Sequence, residues 1–118
     1  MRAELRWFET NDFRNWDDFA AADRPDPLNC SGWFSCGIGG EGEAGTENFQ
    51  FMAVTRGAIS RVQQEQRQQR FLVVNEFTKE SIERALRQHL SKIAGHSWSE
   101  ISAQLRKVMY SEYESMKS

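Results

Sequence analysis

Two apolar stripes in the last third of the chain constrain the fold most. Ile82, Leu86, Leu90 and Ile93 recur at helical spacing, and so do Trp98, Ile101, Leu105, Val108 and Met109. Each stripe opens on a start signal. Thr78 stands where its hydroxyl accepts an unpaired first-turn amide. Phe77 and Ile82 are placed as a hydrophobic staple, and Ser97-Trp98-Ser99-Glu100 reads as a capping box. Gly95 lies between the stripes, where a left-handed residue ends a helix. The pattern predicts two helices joined by a short turn, each with one apolar side that needs a partner layer.

The upstream residues supply that layer. Residues 2–8 alternate, with Ala3, Leu5 and Trp7 on one side and Glu4, Arg6 and Phe8 on the other, which predicts a half-buried strand. Residues 31–38 and 47–55 read as two strands. The stretch Gly39-Gly40-Glu41-Gly42-Glu43-Ala44-Gly45-Thr46 between them predicts a hairpin with a long loop. Phe71-Leu72-Val73-Val74 is a short β-branched run, read as a buried strand. Phe13, Trp16 and Phe19 give residues 11–22 the spacing of a short helix or irregular amphipathic segment, and Arg24-Pro25-Asp26-Pro27 forces a loop. Residues 57–69, rich in Gln and Arg, offer only Ile59 and Val62 to a core and read as a surface helix. The resulting expectation is an α+β fold: an antiparallel sheet of about four strands with a C-terminal helical hairpin packed on one face.

A length of 118 residues fits one domain, residues 1–118. Its 4 Trp, 2 Tyr and 8 Phe are enough for a core, which argues against disorder. No apolar stretch approaches the length of a membrane span. Met1-Arg2-Ala3-Glu4-Leu5-Arg6 carries no apolar leader, so the expected compartment is the cytoplasm.

Motifs of enzyme chemistry fail on context. Gly37-Ile38-Gly39-Gly40-Glu41-Gly42 matches G-x-G-x-x-G, but acids and a strand follow it where a phosphate-holding helix is required. Cys30 and Cys36 with His89 and His96 show no metal-ligand spacing, so the thiols are expected to be buried or half-buried and free. No serine lies in G-x-S-x-G. No catalytic residue, metal or cofactor is expected.

Charge is divided along the chain. Residues 1–50 hold four arginines against ten acids, a net of −6, and residues 51–118 hold eleven bases against seven acids, a net of +4. Such asymmetry points to association with a complementary partner. It argues against nucleic acid, whose phosphates the acidic half repels. Glu41, Glu43 and Glu47 in the hairpin loop, with Asp17 and Asp18 upstream, are the candidate contact residues. Trp16, set among acids, is expected to be partly exposed and is a candidate interface anchor; Trp7, Trp33 and Trp98 are expected in the core. The acids have three readings: a solvated loop tip, an anionic finger aimed at a basic pocket, or the carboxylates of a small hydrolase, which needs a cleft that shifts their pKa values. A general interaction module is a further alternative.

The pattern resembles the immunity protein 8 family of bacterial polymorphic toxin and contact-dependent inhibition systems. Met1-Arg2-Ala3-Glu4-Leu5 resembles its opening strand, and the run from Ile38 through Gly39-Gly40-Glu41-Gly42-Glu43 to Phe49 its glycine/glutamate hairpin. Thr55 ends the following strand as in the family. Trp98-Ser99-Glu100-Ile101 with Leu105 resembles its last helix, and Glu112-Tyr113-Glu114 its acidic-aromatic ending. The chain departs after Thr55, where Arg56-Gly57-Ala58-Ile59 replaces a proline and bulky residues. The resemblance implies a non-enzymatic cytoplasmic protein that binds the C-terminal domain of a cognate toxin and blocks its active site or substrate access. If that toxin is a nuclease, its basic site is open to an acidic mimic of phosphate.

Overall fold

The structure, a computed structural model, describes residues 1–115; the last three positions of the expected 1–118 unit lie outside the described residues. Strands β1 (Ala3–Thr10), β2 (Ser31–Gly40) and β3 (Glu47–Thr55) form an antiparallel meander. Two short strands share the outer edge of β3. Strand β4 (Leu72–Val74) pairs parallel with Ala53–Thr55, and β5 (Tyr110–Ser111) pairs antiparallel with Phe49 and Gln50. A parallel neighbour needs a crossover. A 3-10 turn at Arg56–Ala58 and helix α2 (Ile59–Glu65) provide it.

The expected α+β architecture is therefore present, with five strands. Helices α1 (Trp16–Ala21), α3 (Lys79–Leu90) and α4 (Trp98–Leu105) cover one face of the sheet, and the short α5 (Glu112–Ser115) follows β5. Strand alternation selects the core residues. Phe34, Cys36 and Ile38 of β2 and Phe49, Phe51 and Ala53 of β3 pack with Ile82, Leu86 and Leu90 of α3 and Ile101 and Leu105 of α4. Met52 and Val54 face the other way and pack with Ala58 and Val62 under α2. In β4, Leu72 and Val74 are buried and Val73 is exposed, so this run alternates.

Strand β1 departs from simple alternation. Leu5 pairs with Ile38 but Trp7 pairs with Gly37, so Arg6 is an extra residue opposite β2. The bulge reverses the parity. Phe8 joins Ala3 and Leu5 on the core side, whereas Trp7, 36% exposed, lies on the opposite face over Gly37. A Cβ at Gly37 would collide with the indole Nε1, so glycine is what lets Trp7 lie flat. The placing of Trp7 in the core is thus corrected by one inserted residue. Trp33 and Trp98 are half-buried.

Both helix starts follow the local signals. Thr78 Oγ1 accepts from Ser81 N–H (3.1 Å), and Ser97 Oγ accepts from Glu100 N–H (3.3 Å). The Glu100 carboxylate reaches back to His96 N–H (2.8 Å), one residue before the cap. The helix ends differ from expectation. Helix α3 stops at Leu90, and Gly95 has no left-handed backbone. Residues 93–95 instead run along β1, with Ala3 N–H to Ile93 O (3.4 Å) and Gly95 N–H to Met1 O (3.0 Å). Gly95 is needed for space: a Cβ there would stand 2.9 Å from Glu100 Cβ. Helix α4 stops at Leu105, so Val108 and the buried Met109 belong to the turn that returns the chain to β3.

Thr55 closes the long loop before β2. Its buried hydroxyl donates to Leu28 O (2.8 Å) and accepts from Cys30 N–H (2.9 Å). Both cysteines are free. Burial pushes the Cys36 thiol up to about 12, which keeps it protonated and unreactive.

Burial also holds the His89 imidazole below its ordinary value, and the Lys92 charge adds to the shift. Its Nε2 is buried without a partner. The unfolded chain takes this proton more readily than the folded one. His89 thus supports the fold above the ordinary imidazole range, and that support fades as pH falls from about 6.5 through the lowered value. The urea midpoint is expected to decline as pH is lowered below about 6.5, and to decline less in His89→Gln. Equal declines in both proteins would remove His89 as the cause.

Candidate functional site

The hairpin between β2 and β3 is shorter than its glycines suggest. Gly39 and Gly40 complete β2, leaving residues 41–46 as the turn. Gly42, at φ +83°, sits where a side chain is strained. Glu43 N–H donates to Gly40 O (2.9 Å). The bulged Arg6 lies across the open side of Gly39 and ties the tip down. Its guanidinium donates to Gly40 O (2.9 Å) and Glu43 O (2.6 Å) and pairs with Glu4 Oε1 (2.7 Å). Glu41 and Glu43 are thus presented in solvent on a braced turn.

Glu47 does not share that exposure, which corrects its grouping with the loop acids, although it begins the strand expected over 47–55. It is the first residue of β3, on the same parity as Phe49 and Phe51, and it points inward at 8% exposure. Trp98 Nε1–H donates to its Oε1 (2.8 Å) and Ser111 Oγ–H to its Oε2 (2.5 Å). Ser102 Oγ lies 3.3 and 3.4 Å from the two oxygens. The Arg106 guanidinium donates to Ser102 Oγ (3.0 and 3.2 Å) from behind. The carboxylate therefore joins β3, α4 and β5.

Asp17 and Asp18 lie in the first turn of α1, where acids suit the helix dipole. Asn15 caps Asp18 N–H (2.9 Å), and Arg14 Nε pairs with the Asp18 carboxylate (2.9 Å). Asp17 is exposed and Asp18 half-buried. Trp16 is partly exposed, as expected, and its ring also packs inward. It is half-buried, with ring centroids 4.7 Å from Phe8 and 5.9 Å from Phe34, and Lys79 Nζ sits 5.0 Å from its ring. Helix α1 follows the far end of β1, while the hairpin tip adjoins its beginning at Ala3↔Gly40. Seven strand steps of about 3.3 Å set the two ends of β1 roughly 23 Å apart. The five candidate acids thus resolve into an exposed tip, a remote helix start and one buried anchor.

Beneath the tip lies a cavity of about 530 Å³, bordered by Glu43, Glu47, Trp98 and Tyr113. Sequence reasoning missed this arrangement. Arg6 reads only as one face of a strand, and Ser111 stands 64 positions from Glu47 with no local mark. The one available signal was parity, which sets Glu47 on the side of Phe49. Among the described residues, no three His, Cys, Asp or Glu side chains form a metal-binding group, and no helix is long and apolar enough to cross a membrane.

The model of a family described as immunity protein 8 matches residues 3–116. No curated protein and no solved structure matches the chain.

Proposed function

Because the chain belongs to the immunity protein 8 family, and so is an immunity protein against a toxin, we propose that it neutralises its cognate toxin by direct contact, covering the active site or the path of the substrate. In this reading the whole chain is one non-enzymatic binding unit that acts in the cytoplasm on the toxin's C-terminal domain. The toxin is a nuclease, and Glu41 and Glu43 are the leading contacts with its basic phosphate-binding surface.

The observation that carries this reading is the braced tip. A contact held in its bound shape before association loses less entropy on binding. Arg6 supplies that bracing, and two unshielded carboxylates project from it. Glu47 acts from inside by fixing the start of β3. Asp17 and Asp18, at the other end of the sheet, contribute to the negative field that steers encounter, and Trp16 positions their helix.

The test is the double variant Glu41→Lys/Glu43→Lys. Both side chains are exposed, so the fold is retained. The association rate with the toxin domain is expected to fall at least about 10-fold at low salt, with a flatter salt dependence. Protection of toxin-expressing cells should weaken in parallel. Unchanged affinity and salt dependence would overturn the electrostatic contact.

A further inference from the structure

The cavity under the hairpin tip holds a buried charge with an incomplete set of partners. A carboxylate offers about four lone-pair sites. Glu47 meets three neutral donors, the Trp98 indole and the hydroxyls of Ser102 and Ser111. The ion pairs found among the described residues do not include it. Arg106 spends its guanidinium on Ser102 Oγ rather than on the carboxylate. Buried carboxylates are as a rule paired with a cation. The cavity of about 530 Å³ reaches Glu47 from solvent, with Glu43 at its border. Its aromatic lining is the half-buried Trp98 and Tyr113, which is 57% exposed although large and aromatic.

We propose that this cavity receives an arginine side chain of the toxin. The guanidinium lies against the Trp98 and Tyr113 rings and donates to Glu47 and Glu43. The partner's identity rests on the immunity reading; the chemistry of the cavity does not. Anionic groups beside aromatic faces are complementary to a cation that is also flat. Arginine fits better than lysine, because its planar fork both stacks and donates to a carboxylate through two N–H groups. Closure over Glu47 gives the buried anion its counter-charge, so the contact made here is stronger than one at the exposed tip.

The Trp98 indole N–H, already bonded to Glu47, is a built-in reporter. Capped arginine, N-acetyl-arginine methylamide, is titrated into the chain and followed by proton–nitrogen correlation spectra. Capped citrulline, neutral and nearly the same shape, serves as the control. The expected result is a saturable shift of the Trp98 indole signal with arginine at millimolar concentration, and at least about tenfold weaker binding of citrulline. Tyr113→Ala and Glu43→Gln alter exposed side chains, so the fold persists in both. Together they should abolish the arginine-induced shift and weaken toxin-domain binding at least about tenfold. No shift at Trp98, or equal shifts with citrulline, overturns the proposal whether or not the chain protects cells. Undiminished toxin binding by the double variant overturns the arginine anchor and leaves the immunity reading standing. Failure of the unaltered chain to protect cells removes that reading, while the arginine titration still decides the cavity.

Discussion

Phe34→Ala is expected to lower the unfolding free energy by about 3–5 kcal/mol, a large share of the 5–15 kcal/mol typical of a folded domain. Phe34 is 1% exposed in the middle of β2. Its ring centroid lies 5.6 Å from Phe51, 5.8 Å from Phe19 and 5.9 Å from each of Phe8, Trp16 and Phe77. One ring therefore touches partners from β1, α1, β3 and the start of α3. Truncation opens a void that these surroundings cannot all close, because two of them are backbone-paired strands. Phe34→Leu keeps most of the volume and should cost less than half as much. The check is the urea midpoint of both variants. A Phe34→Ala midpoint within error of the unaltered protein would show that the cluster is not cooperative.

Glu47→Ala should be nearly as damaging, for the opposite chemical reason. It removes no large apolar group. It leaves the Trp98 N–H and the hydroxyls of Ser102 and Ser111 without their acceptor in a buried place. Orphaned buried donors cost about 1–3 kcal/mol each; the hydroxyls recover part by turning and water entering through the cavity recovers more, so a total of about 3 kcal/mol is expected. Glu47→Gln keeps an oxygen for Trp98 and lets the serines rotate, and should cost about 1 kcal/mol. Denaturation of both variants, with the Trp98 indole resonance as a local reporter, measures the difference. Equal stability of the two variants would show that the network does not hold β3 to α4 and β5.

The parts of the fold that were legible in the sequence are those decided within a few residues. Thr78 and Ser97 announce their helices because a hydroxyl and an amide three positions on are all that a cap requires. Glu47–Thr55 matches the strand read after the glycine-rich loop because Phe49, Phe51 and Ala53 face one layer along its length and Met52 and Val54 face the other at its end. The helix ends were not legible. Leu90 ends α3 because the next residues gain hydrogen bonds along β1, some ninety positions away. Strand β5 is two residues long and exists only through β3. The bulge at Arg6 left no mark, yet it reverses the roles of Trp7 and Phe8 and aims Arg6 at the tip.

The candidate site divides the same way. Exposed acids in a glycine turn can be recognised from composition, so Glu41 and Glu43 were found. The cradle around Glu47 was not, because Trp98, Ser102 and Ser111 converge on it from distant segments. Trp16 reads as partly exposed from the acids beside it in sequence, and it is; its packing on Phe8 and Phe34 comes from residues in other elements of the chain and left no local mark.

The shared outer edge of β3 has a consequence for the order in which the molecule assembles. Its two occupants, at positions 72–74 and 110–111, arrive late in synthesis, and β1 waits for residues 93–95. Closing such distant pairs sacrifices chain entropy before packing rewards it. The nascent polypeptide therefore emerges with β3 paired to β2 alone, its outer edge open, and the sheet is completed only after the ribosome has delivered the chain as far as Ser111.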